Sequence, residues 1–214
     1  MLLWIILRRR RNEMKLWDKC LIDWFSGVEK HQEEFKKMMG LILYGESIKI
    51  KEVFYINGNY DSTIINLIDC LLYPGEFFQF DLRDLRKKSI LPNFRGARVA
   101  FVDNFCGQKG QGPYILNKFI SLNKDEFIKD EYGKFRLHCK FIIGEQGCPY
   151  TSLKNIRELL TKGCLKEIKL TKDRVANTNM NLITELLKEK KYIGAYALEG
   201  LNKYVSEGFI DVDS

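Results

Sequence analysis

Residues 53–68 read Val-Phe-Tyr-Ile-Asn-Gly-Asn-Tyr-Asp-Ser-Thr-Ile-Ile-Asn-Leu-Ile, and they decide the fold. The run Glu52-Val53-Phe54-Tyr55-Ile56, apolar from Val53 on, reads as a short buried strand. Asn57-Gly58-Asn59 is a turn signal. From Ser62 to Leu72 apolar residues fall nearly all round a helical wheel, so this segment is a buried helix. A strand feeding a turn and then a buried helix, with further apolar strands between helices, predicts an α/β domain with a largely parallel sheet.

The flanking segments extend this pattern. Residues 16–45 have helical periodicity in two stretches, the first through Leu16, Cys20, Leu21, Trp24 and Phe25, the second through Phe35, Met38, Met39, Leu41 and Ile42. Residues 97–102 form a second strand that runs into Asp103-Asn104. A short helix is expected over 114–122, a hairpin turning at Tyr132-Gly133-Lys134 within 126–138, and a third core strand over 139–143. Helices follow at about 152–162, 179–190 and 193–206. In such folds ligands sit beyond the carboxyl ends of the strands, here segments 57–63, 103–104 and 144–146.

Composition excludes several classes. The chain has 214 residues, 45% hydrophobic and 29% charged, which is globular and neither disordered nor low-complexity. Much of the net +7 lies in Arg8–Arg11 and Lys15, so the remainder is only mildly basic and charge alone does not identify a nucleic-acid binder. The apolar start Met1–Leu7 is far shorter than the ~20 residues that span a bilayer, and its arginines follow it, the reverse of a secretory signal. A soluble cytoplasmic protein without a membrane partner is expected. The six cysteines form no C-x-x-C pair and the histidines are only His31 and His138, so structural thiols are expected rather than a zinc site.

A phosphate-binding loop has the form G-x-x-x-x-G-K-S/T: backbone N–H groups cradle phosphate, the lysine reaches the outer phosphates and the hydroxyl binds magnesium. Aligned to it, Tyr55 and Tyr60 take the glycine places, Asp61 the lysine place, and Ser62 and Thr63 the hydroxyl place. Read alone, this is a poor match. Its surroundings, however, follow a recognisable order. Met39-Gly40-Leu41-Ile42-Leu43-Tyr44-Gly45 precedes the strand. Leu91-Pro92-Asn93-Phe94-Arg95-Gly96-Ala97-Arg98 precedes Val99-Ala100-Phe101-Val102-Asp103-Asn104. The hairpin precedes Phe141-Ile142-Ile143-Gly144-Glu145-Gln146, with Pro149 three residues on. Ile193-Gly194-Ala195-Tyr196-Ala197-Leu198-Glu199-Gly200-Leu201 closes the series.

In this order the chain resembles the superfamily 3 helicase domain of phage, plasmid and poxvirus primase–helicases, from near residue 16 to near residue 210. The resemblance implies an AAA+-like P-loop NTPase core with an N-terminal helical collar. It divides the chain into a basic leader (1–15), a collar (16–48), a degenerate AAA+-type core (49–175) and a C-terminal helical segment (176–214). It also implies remnant nucleotide-binding positions at Gly58, Asn59, Asp61, Ser62 and Thr63. The remnant catalytic positions are Asp103, Asn104 and Gln146, with Ser62 and Asp103 as magnesium ligands if ATP binds. DNA contacts are implied at the hairpin through Lys129, Tyr132, Lys134 and Arg136.

The departures from the family pattern weigh against turnover. Asp61 sets an anion where the family has lysine, and two like charges ~4 Å apart repel by about 4 kcal/mol at an effective dielectric near 20. That erases on the order of a thousandfold in affinity. Asn104 cannot accept a proton from the attacking water, and Gln146 stands where the family has asparagine. The family's trans-acting arginine has no match between Arg157 and Arg174, where only Lys162, Lys166, Lys169 and Lys172 carry positive charge. The expectation is a replication-helicase domain with a decayed ATP site that binds DNA or partner subunits without turnover. It would form a hexamer-type ring of its own or join a related helicase. Two alternatives stay open, a still-active ATP-dependent helicase using ATP and Mg and a regulatory subunit that caps a related ring. No primase segment precedes residue 16, so priming is not expected.

Overall fold

The computed structural model describes residues 14–45, 48, 50, 52–58, 61–103, 118–119, 121–122, 127–144, 165–170 and 180–208. Two helices come first, α1 (Leu16–Phe25) and α2 (Glu29–Leu43), followed by β1 (Val53–Asn57) and α3 (Asp61–Leu71). Strand β2 (Phe77–Asp81) leads into two 3₁₀ segments, Leu82–Arg86 and Lys88–Phe94, and then into β3 (Val99–Asp103). A hairpin of β4 (Phe127–Asp130) and β5 (Gly133–Arg136) precedes β6 (Lys140–Gly144) and β7 (Leu165–Lys169). Helices α4 (Met180–Lys188) and α5 (Lys190–Glu207) end the described chain.

The five core strands form one sheet in the order β2-β3-β6-β1-β7, and every pair in it is parallel. This is the α/β fold with a parallel sheet between helices that residues 53–68 and their flanking segments predict, and it is consistent with the P-loop NTPase-like core that the resemblance implies. The strands alternate their side chains between two cores, as the period of two requires. Phe54, Ile56, Val99, Ile142 and Ile168 face the helices, packing with Trp17, Phe35, Met38, Ile64 and Leu67. Val53, Tyr55, Ala100, Val102, Phe141 and Ile143 face the 3₁₀ segments and the hairpin, packing with Phe94, Phe119, Ile128 and Phe135.

The two glycine-bearing motifs at the ends of the chain meet. A β-carbon built at Gly40 of α2 would overlap the backbone nitrogen of Leu201 and the carbonyl oxygen of Ala197. One built at Gly200 of α5 would overlap the carbonyl oxygen of Lys36. The collar and the C-terminal helix therefore cross in direct backbone contact, which a larger residue would prevent. Glu189 strengthens the junction by accepting from the first free amides of α1, Leu16 N (3.1 Å) and Trp17 N (3.0 Å). At the far end of α2, Arg98 donates to Leu43 O (2.7 Å) and Lys140 to Gly45 O, cations at the negative end of the helix.

Two expectations need correction, and a third falls largely outside the described residues. The helical stretch 16–45 is broken by Ser26 (φ 49) and Gly27 (φ 75), whose left-handed backbone ends α1. Two strands, β2 and β7, stand where none was expected. Helices expected over 114–122 and 152–162 fall mostly or wholly outside the described residues, although 118–119 and 121–122 are helical.

Candidate functional site

All five strands end at one edge of the sheet. The chain leaves β1 toward β2 on one side of the sheet and leaves β6 toward β7 on the other, so the connections from two adjacent strands run in opposite directions. Open α/β sheets hold ligands beyond the carboxyl ends of their strands, where the strand order reverses. The sequence places Asn57, Gly58, Asp61, Asp103 and the residues after Gly144 at this edge.

At this crevice, β1 stays in the sheet as far as Asn57, pairing Tyr55 with Ile143 and Glu167 and Asn57 with Lys169. Tyr55 is buried, and Leu170 N donates to Asn57 O (2.7 Å). Gly58 has φ 141, and a β-carbon there would come within 2.6 Å of the Leu170 β-carbon, so the turn after β1 requires glycine for both reasons. Only residues 58–60 separate β1 from α3. Asn57 Nδ2 donates to Glu167 Oε1 (2.5 Å), bringing a carboxylate to the end of β1. In the first turn of α3, Ser62 is half-buried and Thr63 is 1% exposed. Asn59, Asn104 and Gln146 lie outside the described residues, as do the side chains of Asp61 and Asp103.

A residue that the sequence did not single out also reaches this edge. Asp81, the last residue of β2, pairs in register with Asp103 of β3. Its carboxylate accepts from Arg83 Nε (2.9 Å), Arg83 Nη2 (2.7 Å) and Arg83 N (2.8 Å). The Arg83 hydrogen bonds hold the Asp81 carboxyl below the usual carboxylate range. Among the lysines considered as stand-ins for the family's arginine, Lys166 lies inside the protein and pairs with Glu34 (3.2 Å). It therefore does not reach across to another subunit. Lys169 is exposed at the end of β7, while Lys162 and Lys172 lie outside the described residues.

The hairpin inserted between β3 and β6 sorts its side chains by alternation. Ile128 and Phe135, a cross-strand pair, are buried against the core. Lys129 and Lys134 are also a cross-strand pair, and Phe127 lies opposite Arg136. All four of these are exposed, and Tyr132 at the turn is 74% exposed. The structure therefore brings three of the hairpin residues read from sequence, Lys129, Lys134 and Arg136, together with Phe127 on one face and leaves Tyr132 exposed at the turn. The Lys134 ammonium sits 4.6 Å from the centre of the Phe127 ring. Like charges directly opposite each other repel, so the Lys129–Lys134 pair costs stability unless an anion joins it.

Arg95 fixes this hairpin to the sheet. Its guanidinium donates to Asp130 through Nη2 (2.9 and 3.1 Å) and Nε (3.3 Å), and it lies 4.5 Å from the Phe135 ring centre. The Arg95 hydrogen bonds lower the Asp130 carboxyl below its ordinary range. Asp130 also accepts from Tyr132 N (2.9 Å), shaping the turn, and Gly133 supplies the positive φ of 117 that the turn needs. Among the described cysteines, burial, with Asp23 and Glu189 nearby, pushes the Cys20 thiol up to about 12, Cys139 is also buried and Cys70 is exposed. Among the described residues no group of His, Cys, Asp and Glu could hold a metal ion, and no helix is long and apolar enough to cross a membrane.

Comparison with models of known protein families finds no match, and neither does comparison with curated proteins. Solved structures do match. The apo structure of the C-terminal region (305–718) of NrS-1 superposes with a TM-score of 0.62 at 11% identity, over 92% of this chain and 52% of that one. The A-form apo structure of the same region gives a TM-score of 0.59 at 12% identity, over 87% and 47%. The chain thus spans about half the length of these structures, and at such identity the likeness is one of fold.

Proposed function

We propose that this chain is a replication-helicase domain of the superfamily 3 type whose nucleotide site has decayed and which holds single-stranded DNA without turnover. The observation that carries the proposal is the hairpin. It sits in the crossover between β3 and β6, and alternation gathers Lys129, Lys134, Arg136, Phe127 and Tyr132 on its outer face and turn. Cations that track phosphates, together with aromatic faces on which bases stack, are what sequence-tolerant single-strand binding needs.

The decay of the nucleotide site rests on the crevice. A phosphate loop with Asp61 at its lysine needs residues 55–60 to leave the sheet, yet Tyr55 and Asn57 are paired strand residues. The remaining turn packs on Leu170, and Glu167 brings a carboxylate beside it. These residues do not suit a magnesium nucleotide, which wants backbone amides and a lysine in their place. Assembly into a ring, either of this chain or with a related helicase, belongs to the same proposal.

Fluorescence anisotropy of a labelled oligothymidylate across a range of salt tests it. Binding should weaken linearly on a log–log plot, and replacing Lys129, Lys134 and Arg136 together by alanine should flatten the slope by about 2, at ~0.7 per lost contact. DNA-stimulated phosphate release from ATP by the folded protein would refute the decayed site. Absence of salt-dependent binding would refute the DNA role.

A further inference from the structure

We propose that the cleft lined by β4 is a nucleobase subsite for single-stranded DNA, an inference that rests on the DNA-binding function proposed above. Among the described residues strand β4 pairs only with β5. Its residues Phe127, Ile128 and Lys129 line a cavity of about 310 Å³. Leu91, Leu122 and Ile128 line it with apolar surface. Phe127, 47% exposed, belongs both to this cleft and to the basic face of the hairpin. Lys118 and Lys129 bring cations to it, and the Lys118 ammonium is held in place by donating to Leu85 O.

Size, shape and charge together select the occupant. Pockets for whole small ligands run from about 300 to 1,000 Å³, so this one suits a single ring system. Every base has a π-face, and an aromatic wall over an apolar floor is a stacking platform. Lys118 and Lys129 at the cleft, with Lys134 and Arg136 on the adjoining face, favour the phosphates on either side of that base. Among the described residues, the acids nearest in sequence to the cleft residues are Asp84, which pairs with Lys87, Asp130, which Arg95 engages, and Glu131 at the turn. A strand of DNA laid along the hairpin would therefore turn one base into the cleft against Phe127.

The test compares a labelled oligothymidylate with an abasic oligomer of the same length, which keeps the phosphates and lacks the bases. Anisotropy is measured on the full chain, on Phe127→Ala and on Lys134→Ala/Arg136→Ala. The wild type should prefer the base-bearing strand by about 10-fold. Phe127→Ala should lose most of that preference while binding the abasic strand as before. The lysine–arginine variant should weaken both strands by a similar factor. Equal wild-type binding of the two strands overturns the base subsite and leaves phosphate tracking standing. Equal loss of both strands in Phe127→Ala also overturns it. If neither strand binds, the DNA role itself fails and the subsite with it. Displacement of the oligomer by an acidic peptide, with the same dependence on Phe127, would assign the cleft to a protein partner and overturn the proposal.

Discussion

Replacing Gly40 or Gly200 by alanine should destabilise the protein, although alanine is the better helix former. In an open helix the exchange would gain about 1 kcal/mol from propensity. Here the new methyl at Gly40 meets Leu201 N, Ala197 O and the Leu201 α-carbon (2.9 Å), all of them backbone. At Gly200 it meets the carbonyl of Lys36. Carbon atoms prefer about 3.5 Å or more, so α2 and α5 must separate by roughly 1 Å along a contact that also buries Phe35, Met39 and Ala197. Overpacking of this kind costs typically 1–3 kcal/mol, and the rigid backbone partners put these sites at the upper end. Net of propensity, each variant should lose about 2 kcal/mol, a drop in melting temperature of roughly 4–8 °C for a chain of this size. Gly194→Ala is the internal control. Its methyl would approach only the Tyr44 hydroxyl (2.7 Å), the far end of a half-exposed side chain that can swing aside. It should be neutral or slightly stabilising. Thermal unfolding followed by circular dichroism decides the matter. If Gly40→Ala and Gly200→Ala melt at or above wild type, the close crossing of collar and C-terminal helix is wrong.

Other predictions follow from single contacts. Glu34→Ala should cost about 3–5 kcal/mol in urea unfolding, because it strips the carboxylate from the buried Lys37 (3.4 Å) and Lys166 (3.2 Å); a loss under about 1 kcal/mol would contradict the pairing. Arg95→Ala should weaken oligonucleotide binding while the melting temperature stays close to wild type, since the hairpin loses its tether to the sheet; unchanged affinity would remove Arg95 as a positioning residue. The Asp130 carboxyl titrates lower when folded than the ~3.9 of a free aspartate, so its pairing with Arg95 contributes in full above that value and is lost as pH falls through the folded one. Hydrogen exchange of the hairpin amides should accordingly show protection at pH 5 that is lost in strong acid, and protection independent of pH would refute it.

How much was legible in the sequence depended on whether the deciding forces were local. β1, α3 and β3 declared themselves because apolar runs next to Asn-Gly or Asp-Asn signals are local features, and β6 because Phe141-Ile142-Ile143 is a continuous apolar run. The hairpin was readable from Tyr132-Gly133, and the face shared by Lys129, Lys134 and Arg136 follows once its register is fixed. β7 was not readable: Leu-Lys-Glu-Ile-Lys looks like a solvated charged run, and Glu34, far away on α2, pairs with the buried Lys166. β2 is an edge strand whose Phe-Phe-Gln-Phe-Asp pattern does not alternate, which also hid Asp81 from view. The glycines at 40 and 200 could be quoted from the motifs, but their reason, a backbone contact between opposite ends of the chain, exists only in the fold.

The most direct test of the central claim is one thermal-unfolding experiment on matched samples containing nothing, Mg·ATP or an oligothymidylate. A ligand present at about 100 times its Kd stabilises the folded state by ~2.7 kcal/mol, well within detection. A domain that binds single-stranded DNA through its hairpin and has lost its nucleotide site should be stabilised by the oligonucleotide and not by Mg·ATP. Stabilisation by Mg·ATP, or none by the oligonucleotide, would contradict it.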